Sequence, residues 1–299
     1  MEKKIVSSWF NGKSLPKNYI IPPEKRPGDI IIPACQIPVI DLSMANGVAD
    51  QTIIVEQIMQ AAKKFGFFQV INHGVGKDVI NDAMEVFNEF FELPYEEKSH
   101  LYSEEINVKE VVEKYCREVK EVGMKILDLI CEGLLLESGY FAKGYSEESF
   151  LAVNHYPPCP EPRLTLGLPK HCDPNIITLL HQENVPGLQV CVDDNWLLVQ
   201  PCPGAFVVNM GYQMQIISNG RLKSAEHRVV TNAEKARTTA AFFILPSKDC
   251  VIQPAKALVN IGDPPLFKQF QYAEFVETFK AHTNREPEDV LEYYKTDCK

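Results

Sequence analysis

Two residues of this sequence, His171 and Asp173, are spaced so that their side chains could bind one metal ion. On a β-strand, residues i and i+2 project from the same face, so an imidazole and a carboxylate at these positions converge. A His-x-Asp triplet in front of a proline, here Pro174, is also typical of an aspartate that caps a turn beside a surface histidine. Spacing alone favours the turn, and a third ligand is needed to favour a metal.

His227 is a candidate for that third ligand. It lies 54 positions after Asp173 and opens an apolar run, His227–Thr231, that is typical of a strand. A strand returning beside the first pair would bring a second imidazole to it. Two histidines and one carboxylate form the facial triad of non-haem iron(II) oxygenases, which leaves coordination positions open. The alternative is a core histidine hydrogen-bonded to the backbone.

Arg237 and Thr239 form a second i, i+2 pair, at the start of an apolar run that continues to Leu245. An arginine that enters so apolar a strand needs an anionic partner, and its planar guanidinium suits a carboxylate. An arginine that reaches back to water from the end of the strand fits the spacing equally well. The pair therefore indicates a carboxylate site only in combination with the metal ligands.

The first half of the chain is predicted to be mainly helical. Its first forty residues contain six prolines, which exclude a regular helix and predict a proline-rich arm over residues 1–36. Strands are predicted at Ile37–Leu42 and Gly66–Gly74, with a helix between them. Apolar spacing predicts a second helix that ends near Pro94 and a longer third helix from Val108 to Ile130.

At about residue 150 the sequence pattern changes from helical apolar spacing to short β-rich runs separated by turn signals. This change divides the chain into regions 1–149 and 150–299. Strands at such close spacing favour an antiparallel sandwich or barrel, for which a double-sheet jelly roll is one solution. The predicted strands are Leu151–Tyr156, Asn175–His181, Gly187–Val192, Trp196–Val199, Ala205–Met210, His227–Thr231, Thr238–Leu245 and Cys250–Ile252.

Composition narrows the kinds of partner. The formal net charge of -10 argues against nucleic acid, because such binders normally present a basic face, and it favours a small-molecule substrate. The nine cysteines are odd in number and form no C-x-x-C pair, so we expect reduced thiols in a cytoplasmic protein. The sequence has neither a signal-peptide pattern nor a membrane span. We expect a monomer that does not bind membranes.

Nine motifs of the chain occur in the same order as in one plant enzyme family. They are Pro38–Leu42, Gly66–Gly74, Asn154–Pro160, Gly167–Asn175, Pro186–Gln189, Asn209–Gln213, Ser218–Gly220, Lys223–Arg228 and Arg237–Thr239. With them the chain resembles the plant 2-oxoglutarate/Fe(II)-dependent dioxygenases over nearly its whole length. It is similar to the branch of hyoscyamine 6-beta-hydroxylase and the flavonoid and salicylate hydroxylases.

The resemblance implies an α+β fold with a distorted double-stranded β-helix, or jelly roll, flanked by N-terminal and C-terminal helices. It implies iron ligands and catalytic residues at His171, Asp173 and His227, and co-substrate contacts from Arg237, Thr239, Tyr156 and Asn154. Arg237 and Thr239 would bind the distal carboxylate of 2-oxoglutarate. Thr239 stands where the family usually has serine; its hydroxyl can donate the same hydrogen bond, although its methyl group adds bulk beside the carboxylate.

The implied reaction is hydroxylation, or desaturation or epoxidation, of a small plant specialised metabolite or hormone, with release of succinate and CO2. Its cofactors would be Fe(2+), 2-oxoglutarate and ascorbate, with O2 as the oxidant. The sequence does not identify the substrate. Six apolar residues could form a substrate wall or belong to the core: Phe67, Phe68, Tyr212, Met214, Phe243 and Leu245.

One segment of the family pattern is missing. Relatives carry a sizeable stretch, with a strand bearing a Trp-Arg-Asp-like motif, where Leu101–Ser103 here runs almost directly into the third helix. We expect the metal and co-substrate sites to survive this loss and the substrate pocket to widen. Three alternatives stay open: the same fold with impaired turnover or a regulatory role, an oxidase of this fold that does not use 2-oxoglutarate, and a metal-free module of the cupin type.

Overall fold

The computed structural model describes residues 14–28, 36–44, 48–94, 98, 106–142, 144–281 and 288–296. Its helices are α1 (Val48–Lys64), α2 (Lys77–Glu92), α3 (Ile106–Gly133), α4 (Tyr212–Ile217), α5 (Tyr272–Ala281) and α6 (Glu288–Glu292). Its strands are β1 (Val39–Asp41), β2 (Phe67–Ile71), β3 (Glu148–Tyr156), β4 (Leu168–His171), β5 (Ile177–Gln182), β6 (Leu188–Val192), β7 (Asn195–Leu198), β8 (Phe206–Met210), β9 (His227–Val229), β10 (Arg237–Leu245), β11 (Val251–Ile252) and β12 (Phe270–Gln271).

The helices of the first half cover one face of a sheet. Helix α2 buries Val79, Ile80, Ala83, Met84 and Phe87, which recur at the spacing of one helical face, and it ends where Leu93 turns extended before a proline. The long helix α3 contacts α1, α2, β5 and β10. A Cβ at Gly123 of α3 would lie only 2.4 Å from the Ile244 side chain, so this glycine lets the helix approach the sheet closely.

Two sheets form the β-core. The major sheet has the order β1-β2-β8-β5-β10-β3, and all its pairs are antiparallel except β1 with β2. The minor sheet has the order β4-β9-β6-β7 and is antiparallel throughout. Residues of both sheets line one cavity between them. This is the α+β jelly roll with flanking helices that the family resemblance implied.

The strand, helix, strand opening and the next two helices are confirmed, as is a strand at each of the eight predicted positions. Strand β4 and helix α4 were not predicted. The strand is short, contains Pro169 and is half exposed, while α4 is buried on nearly every side, so neither shows a clean apolar period. Residues 14–28 of the arm contain short 3-10 turns, whereas residues 1–13 and 29–35 of the arm and Leu101–Ser103 lie outside the described residues.

None of the helices in the described part of the chain combines the length and the apolar character needed to cross a membrane. Seven cysteines fall in the described ranges, and each of them is a free thiol. Cys35 and Cys298 lie outside those ranges.

Two buried histidines make the fold sensitive to acid. His73 and His181 pack against the ring of Phe206, and burial lowers the pKa of both, that of His181 to about 4. The unfolded chain therefore takes up these protons at a higher pH than the folded chain does, so the free energy of unfolding falls as the pH drops from about 6.5 to about 4. His181 alone contributes about 3 kcal/mol to this loss.

Urea titrations at several pH values test this expectation. The His181→Asn variant, which cannot take up the proton, should lose less stability than the unmodified protein over the same interval. Parallel stability curves for the two proteins would contradict it.

Candidate metal centre

The two candidate histidines are brought together by strand pairing. His171 ends β4 and His227 begins β9, and the two residues are direct partners in the antiparallel register. Their ring centroids are 4.2 Å apart. The spacing of 56 residues in the chain therefore becomes a contact between neighbouring strands.

Asp173 reaches the same point from the loop after β4. The backbone N–H of Tyr212 donates to its carbonyl oxygen at 2.8 Å. A Cβ at Gly211 would lie 2.0 Å from the carbonyl oxygen of Asn175, so a glycine is needed here for the loop to pack against the start of α4. Oδ1 of Asp173 lies 3.5 Å from Nε2 of His171 and 3.6 Å from Nε2 of His227. The ligand atoms of the three residues all lie within 4.8 Å of one another.

The hydrogen bonds of the two rings direct Nε2 of each toward this point. Nδ1 of His171 lies 2.9 Å from the carbonyl oxygen of Pro169, and Nδ1 of His227 lies 3.3 Å from that of Ala225. A carbonyl only accepts, so each Nδ1 carries a hydrogen, and in the neutral imidazole the lone pair is then on Nε2. Burial lowers the pKa of His227 to about 4, which keeps this imidazole neutral at pH 7.

Asp173 supplies the negative charge of the centre. Burial raises the pKa of its carboxyl, but the electrostatic interaction with His227, which is protonated at the low pH where this carboxyl titrates, and the contacts with His171 and Thr178 outweigh that effect and hold the pKa well below its usual range. Two imidazoles and one carboxylate make a nitrogen and oxygen donor set that suits iron(II). The three residues thus fit the metal that the sequence predicted.

Cys172 lies between two of these residues in sequence but not in space. Its side chain does not line the cavity that holds the three ligands, and its Sγ lies 3.8 Å from the carbonyl oxygen of Ser224. Burial raises the pKa of the thiol to about 12. The sulfur is therefore neither near the three ligands nor ionised.

Arg237 is a buried cation held by neutral groups. Its side chain is 3% exposed, and it donates to the carbonyl oxygen of Val185 at 3.1 Å and to Oε1 of Gln182 at 2.9 Å. Its guanidinium lies over the ring of Tyr156, 5.5 Å from the centroid. Burial lowers its pKa to about 10, so it remains charged at pH 7. Among the described residues no carboxylate forms an ion pair with it, and an anionic ligand would supply the missing charge.

Strand register arranges four polar residues in a block beside the metal ligands. Tyr156 of β3 is the partner of Arg237 in β10, and Asn154 is the partner of Thr239, so all four face the same side of the major sheet. Hydroxyl, amide and guanidinium groups in this block can surround one carboxylate.

All seven residues predicted for the site line one cavity of about 70 Å³. Of the six candidate wall residues, Phe67 and Phe243 line it, whereas Phe68, Tyr212 and Met214 belong to the core and Leu245 packs against the core. Sequence reasoning missed Thr178, Leu180, Leu188, Val207 and Asn209, which also line the cavity. The alternation of residues within β5, β6 and β8 was the only signal that could have indicated them.

A second cavity, of about 350 Å³, lies along the free edge of β3. Its lining includes every residue from Val153 to Pro160, together with Tyr19 and Phe91. Consecutive residues of a strand face opposite sides, so a cavity that touches all of them runs along the strand edge. Within the described chain, β3 pairs with β10 alone and ends the major sheet. The two cavities share Asn154 and Tyr156.

Comparisons with known proteins agree with this geometry. Residues 147–246 match the family model of the 2OG-Fe(II) oxygenase superfamily, and residues 37–134 match that of the N-terminal region of non-haem dioxygenases in morphine synthesis. Protein DOWNY MILDEW RESISTANCE 6 of Arabidopsis thaliana is 40% identical over 98% of this chain and 99% of its own length. Hyoscyamine 6-dioxygenase of Hyoscyamus niger is 36% identical over 92% and 94%.

Among solved structures, JOX2 in complex with 2OG, Fe and JA superposes with a TM-score of 0.85, at 32% identity, over 98% of each chain. The chain belongs to the 2OG-Fe(II) oxygenase superfamily. Within it, the protein is a 2-oxoglutarate-dependent dioxygenase related to plant enzymes of hormone and metabolite oxidation.

The alignment also bears on the missing segment. It spans 343 positions with the Arabidopsis relative, 44 more than the chain has residues, so at least that many positions of the relative have no counterpart here. The total length of the unmatched positions is consistent with a missing segment of that size. Its predicted place, between Lys98 and Val111, includes residues 99–105, which lie outside the described ranges.

Proposed function

We propose that the protein hydroxylates a small plant specialised metabolite or hormone, with conversion of 2-oxoglutarate to succinate and CO2. The observation that carries the proposal is the buried, charge-uncompensated Arg237 in the same cavity as the three metal-ligand candidates. A metal centre alone fits many oxygenases. A carboxylate anchor beside it favours a dicarboxylate co-substrate over the oxidase that needs none.

The proposed roles follow from the positions. His171, Asp173 and His227 hold iron; Arg237 and Thr239 bind the distal carboxylate of 2-oxoglutarate, and Tyr156 and Asn154 contact the same molecule. When bound, iron and 2-oxoglutarate supply the activation of dioxygen. The chain fixes the ligands, orients the co-substrate through the block on β3 and β10, and surrounds the centre with the apolar side chains of Phe67, Leu180 and Val207.

The substrate class rests on the relatives, which include a hyoscyamine 6-dioxygenase and a flavanone 3-dioxygenase, and on a similar structure solved with JA. These are proteins that act on or bind small organic molecules. We extend that class to this chain, together with our predictions of a monomer, a cytoplasmic location and two sequence regions that divide near residue 149.

Product stoichiometry tests the proposal. The protein is incubated with iron(II), ascorbate, 2-oxoglutarate and a panel of plant metabolites, and succinate and any product heavier by one oxygen atom are quantified together. We expect one succinate for each oxygenated product, and neither from a His171→Ala control. Oxygenated product formed without succinate would instead indicate the oxidase that does not use 2-oxoglutarate.

The second candidate is a protein of the same fold that still binds its ligands but has impaired turnover or a regulatory role. The free edge of β3 favours it, because a cavity open along that edge would admit water near the centre, and the relative has at least 44 positions without a counterpart here that could cover such an edge. In that case the protein binds 2-oxoglutarate, as calorimetry would detect, while succinate accumulates without a matching product.

A further inference from the structure

We propose that Thr178 and Asn209 are positioning residues that make Asp173 a ligand through one oxygen only. Both hold Oδ2 of the carboxylate, which leaves Oδ1 as the atom that faces the metal. The inference rests on the proposed role of Asp173 as a metal ligand and adds two residues that do not themselves touch the metal.

The two oxygens of Asp173 have different surroundings. Oδ1 is the atom that faces Nε2 of both candidate histidines, at 3.5 and 3.6 Å. Oδ2 accepts a hydrogen bond from Oγ1 of Thr178 at 2.6 Å and another from Nδ2 of Asn209, also at 2.6 Å. Each bond has the short length typical of an ionised acceptor.

Strand register explains why two donors meet at one atom. Thr178 of β5 and Asn209 of β8 are direct partners in the antiparallel ladder, so both side chains leave the major sheet on the same face. Both residues are buried, at 4% and 3% exposure, and both line the cavity that holds the ligands. The major sheet therefore presents a pair of donors to a carboxylate whose other oxygen faces the minor sheet.

The direction of each hydrogen bond is fixed. Nδ2 of Asn175 donates to Oγ1 of Thr178 at 3.0 Å and to the carbonyl oxygen of Ile177 at 2.7 Å. Because the Thr178 oxygen already accepts from Asn175, its single hydrogen is free for Asp173. The amide of Asn209 must present its nitrogen, since its oxygen would repel the carboxylate.

Two donors at Oδ2 engage the lone pairs that a second metal bond would need. A carboxylate bound through both oxygens would occupy one more coordination position, at the expense of those that a facial triad leaves open for co-substrate and dioxygen. Thr178 and Asn209 thus preserve an open position at the metal and orient the one charged ligand. Outer partners of this kind typically change metal affinity by about ten- to a hundredfold.

The test uses near-isosteric variants and readouts other than turnover. Cobalt(II) replaces iron(II) as the probe, its dissociation constant is measured by titration, and its visible absorption spectrum reports coordination geometry. We expect Thr178→Val and Asn209→Leu each to weaken cobalt binding by about ten- to a hundredfold and to alter the spectrum. Thr178→Ser, which restores the hydroxyl, should return both readouts close to those of the unmodified protein.

Thr238→Val is the matched control. Thr238 is also a buried threonine of the major sheet, but it bonds to Asn88 and His155 on the opposite face, so its loss should leave cobalt binding and spectrum unchanged. The two test residues lie on different strands, and either variant decides the matter if circular dichroism shows that it is folded. If both variants unfold, Thr178→Ala is tested in their place, and we expect the same weaker cobalt binding and altered spectrum.

Two failures have different meanings. If a folded Thr178 or Asn209 variant binds cobalt with the same affinity and the same spectrum as the unmodified protein, this inference alone is wrong. Cobalt binding that survives in Asp173→Ala would overturn the ligand set of the proposed function as well.

Discussion

The Asp173→Ala variant is expected to purify without stoichiometric iron and to lose turnover by more than about a hundredfold, because even the partners of metal ligands are worth ten- to a hundredfold. Asp173 is the only carboxylate in the described cluster of ligand atoms, and its contacts keep it ionised. Its removal leaves two imidazoles, which make a much weaker site. Elemental analysis of the purified variant measures the loss directly.

Asp249→Ala provides the control for this experiment, since Asp249 is an exposed carboxylate outside the cavity. That variant should keep its iron and its turnover. A folded Asp173→Ala protein with the iron content of the unmodified enzyme would show that the metal is held elsewhere.

The Arg237→Lys variant should require roughly ten- to a hundredfold more 2-oxoglutarate, since a charge-assisted pair with a carboxylate is worth about 1.5 to 3 kcal/mol. Lysine keeps the positive charge but lacks the planar guanidinium that can donate to both oxygens of a carboxylate. We expect its single ammonium group to be unable to replace the hydrogen bonds to Gln182 and Val185 and to bind the carboxylate of 2-oxoglutarate at the same time. Iron content should be unchanged, because Arg237 is not among the ligand atoms. Turnover at increasing 2-oxoglutarate concentration measures the effect.

Two further variants sharpen that result. Tyr156→Phe should shift the 2-oxoglutarate requirement in the same direction by a smaller amount, since it removes one hydroxyl from the block. Arg221→Lys is the control, because Arg221 already pairs with Asp263 at 2.8 Å. An unchanged requirement in Arg237→Lys would move the carboxylate anchor to another residue.

The candidate metal and co-substrate residues could be named from the sequence because their pattern is local, although Asp173 lies just beyond the end of β4 rather than on the strand. His171 with Asp173, and Arg237 with Thr239, are i, i+2 pairs, and the order of motifs resembled one family. Thr178 and Asn209 could not be predicted in the same way. Their proposed role depends on the pairing of β5 with β8, and the sequence of one strand does not determine which residue of the other strand it will pair with.

The dependence on strand pairing also explains why the sequence could not tell which apolar residues line the cavity. Phe67 and Phe68 are adjacent and equally apolar, yet only Phe67 faces the cavity between the sheets, while Phe68 packs in the core. A shift by one residue would exchange the two faces, and the choice is set by how the sheets pack rather than by residue type. Strand β4 and helix α4 were missed for a related reason, since each is too short to show a period.

The position of Cys172 bears on how well the protein resists oxidation of its own side chains. A thiol next in sequence to two ligands of an oxidising centre would be the first group to be damaged, through sulfenic and then irreversible sulfinic acid, if it were exposed as thiolate. Its side chain is 3% exposed and does not line the cavity that holds the ligands. With a pKa of about 12, only about one molecule in a hundred thousand carries the thiolate at pH 7. Burial thereby keeps protonated an oxidisable sulfur that lies directly between two candidate metal ligands in the sequence.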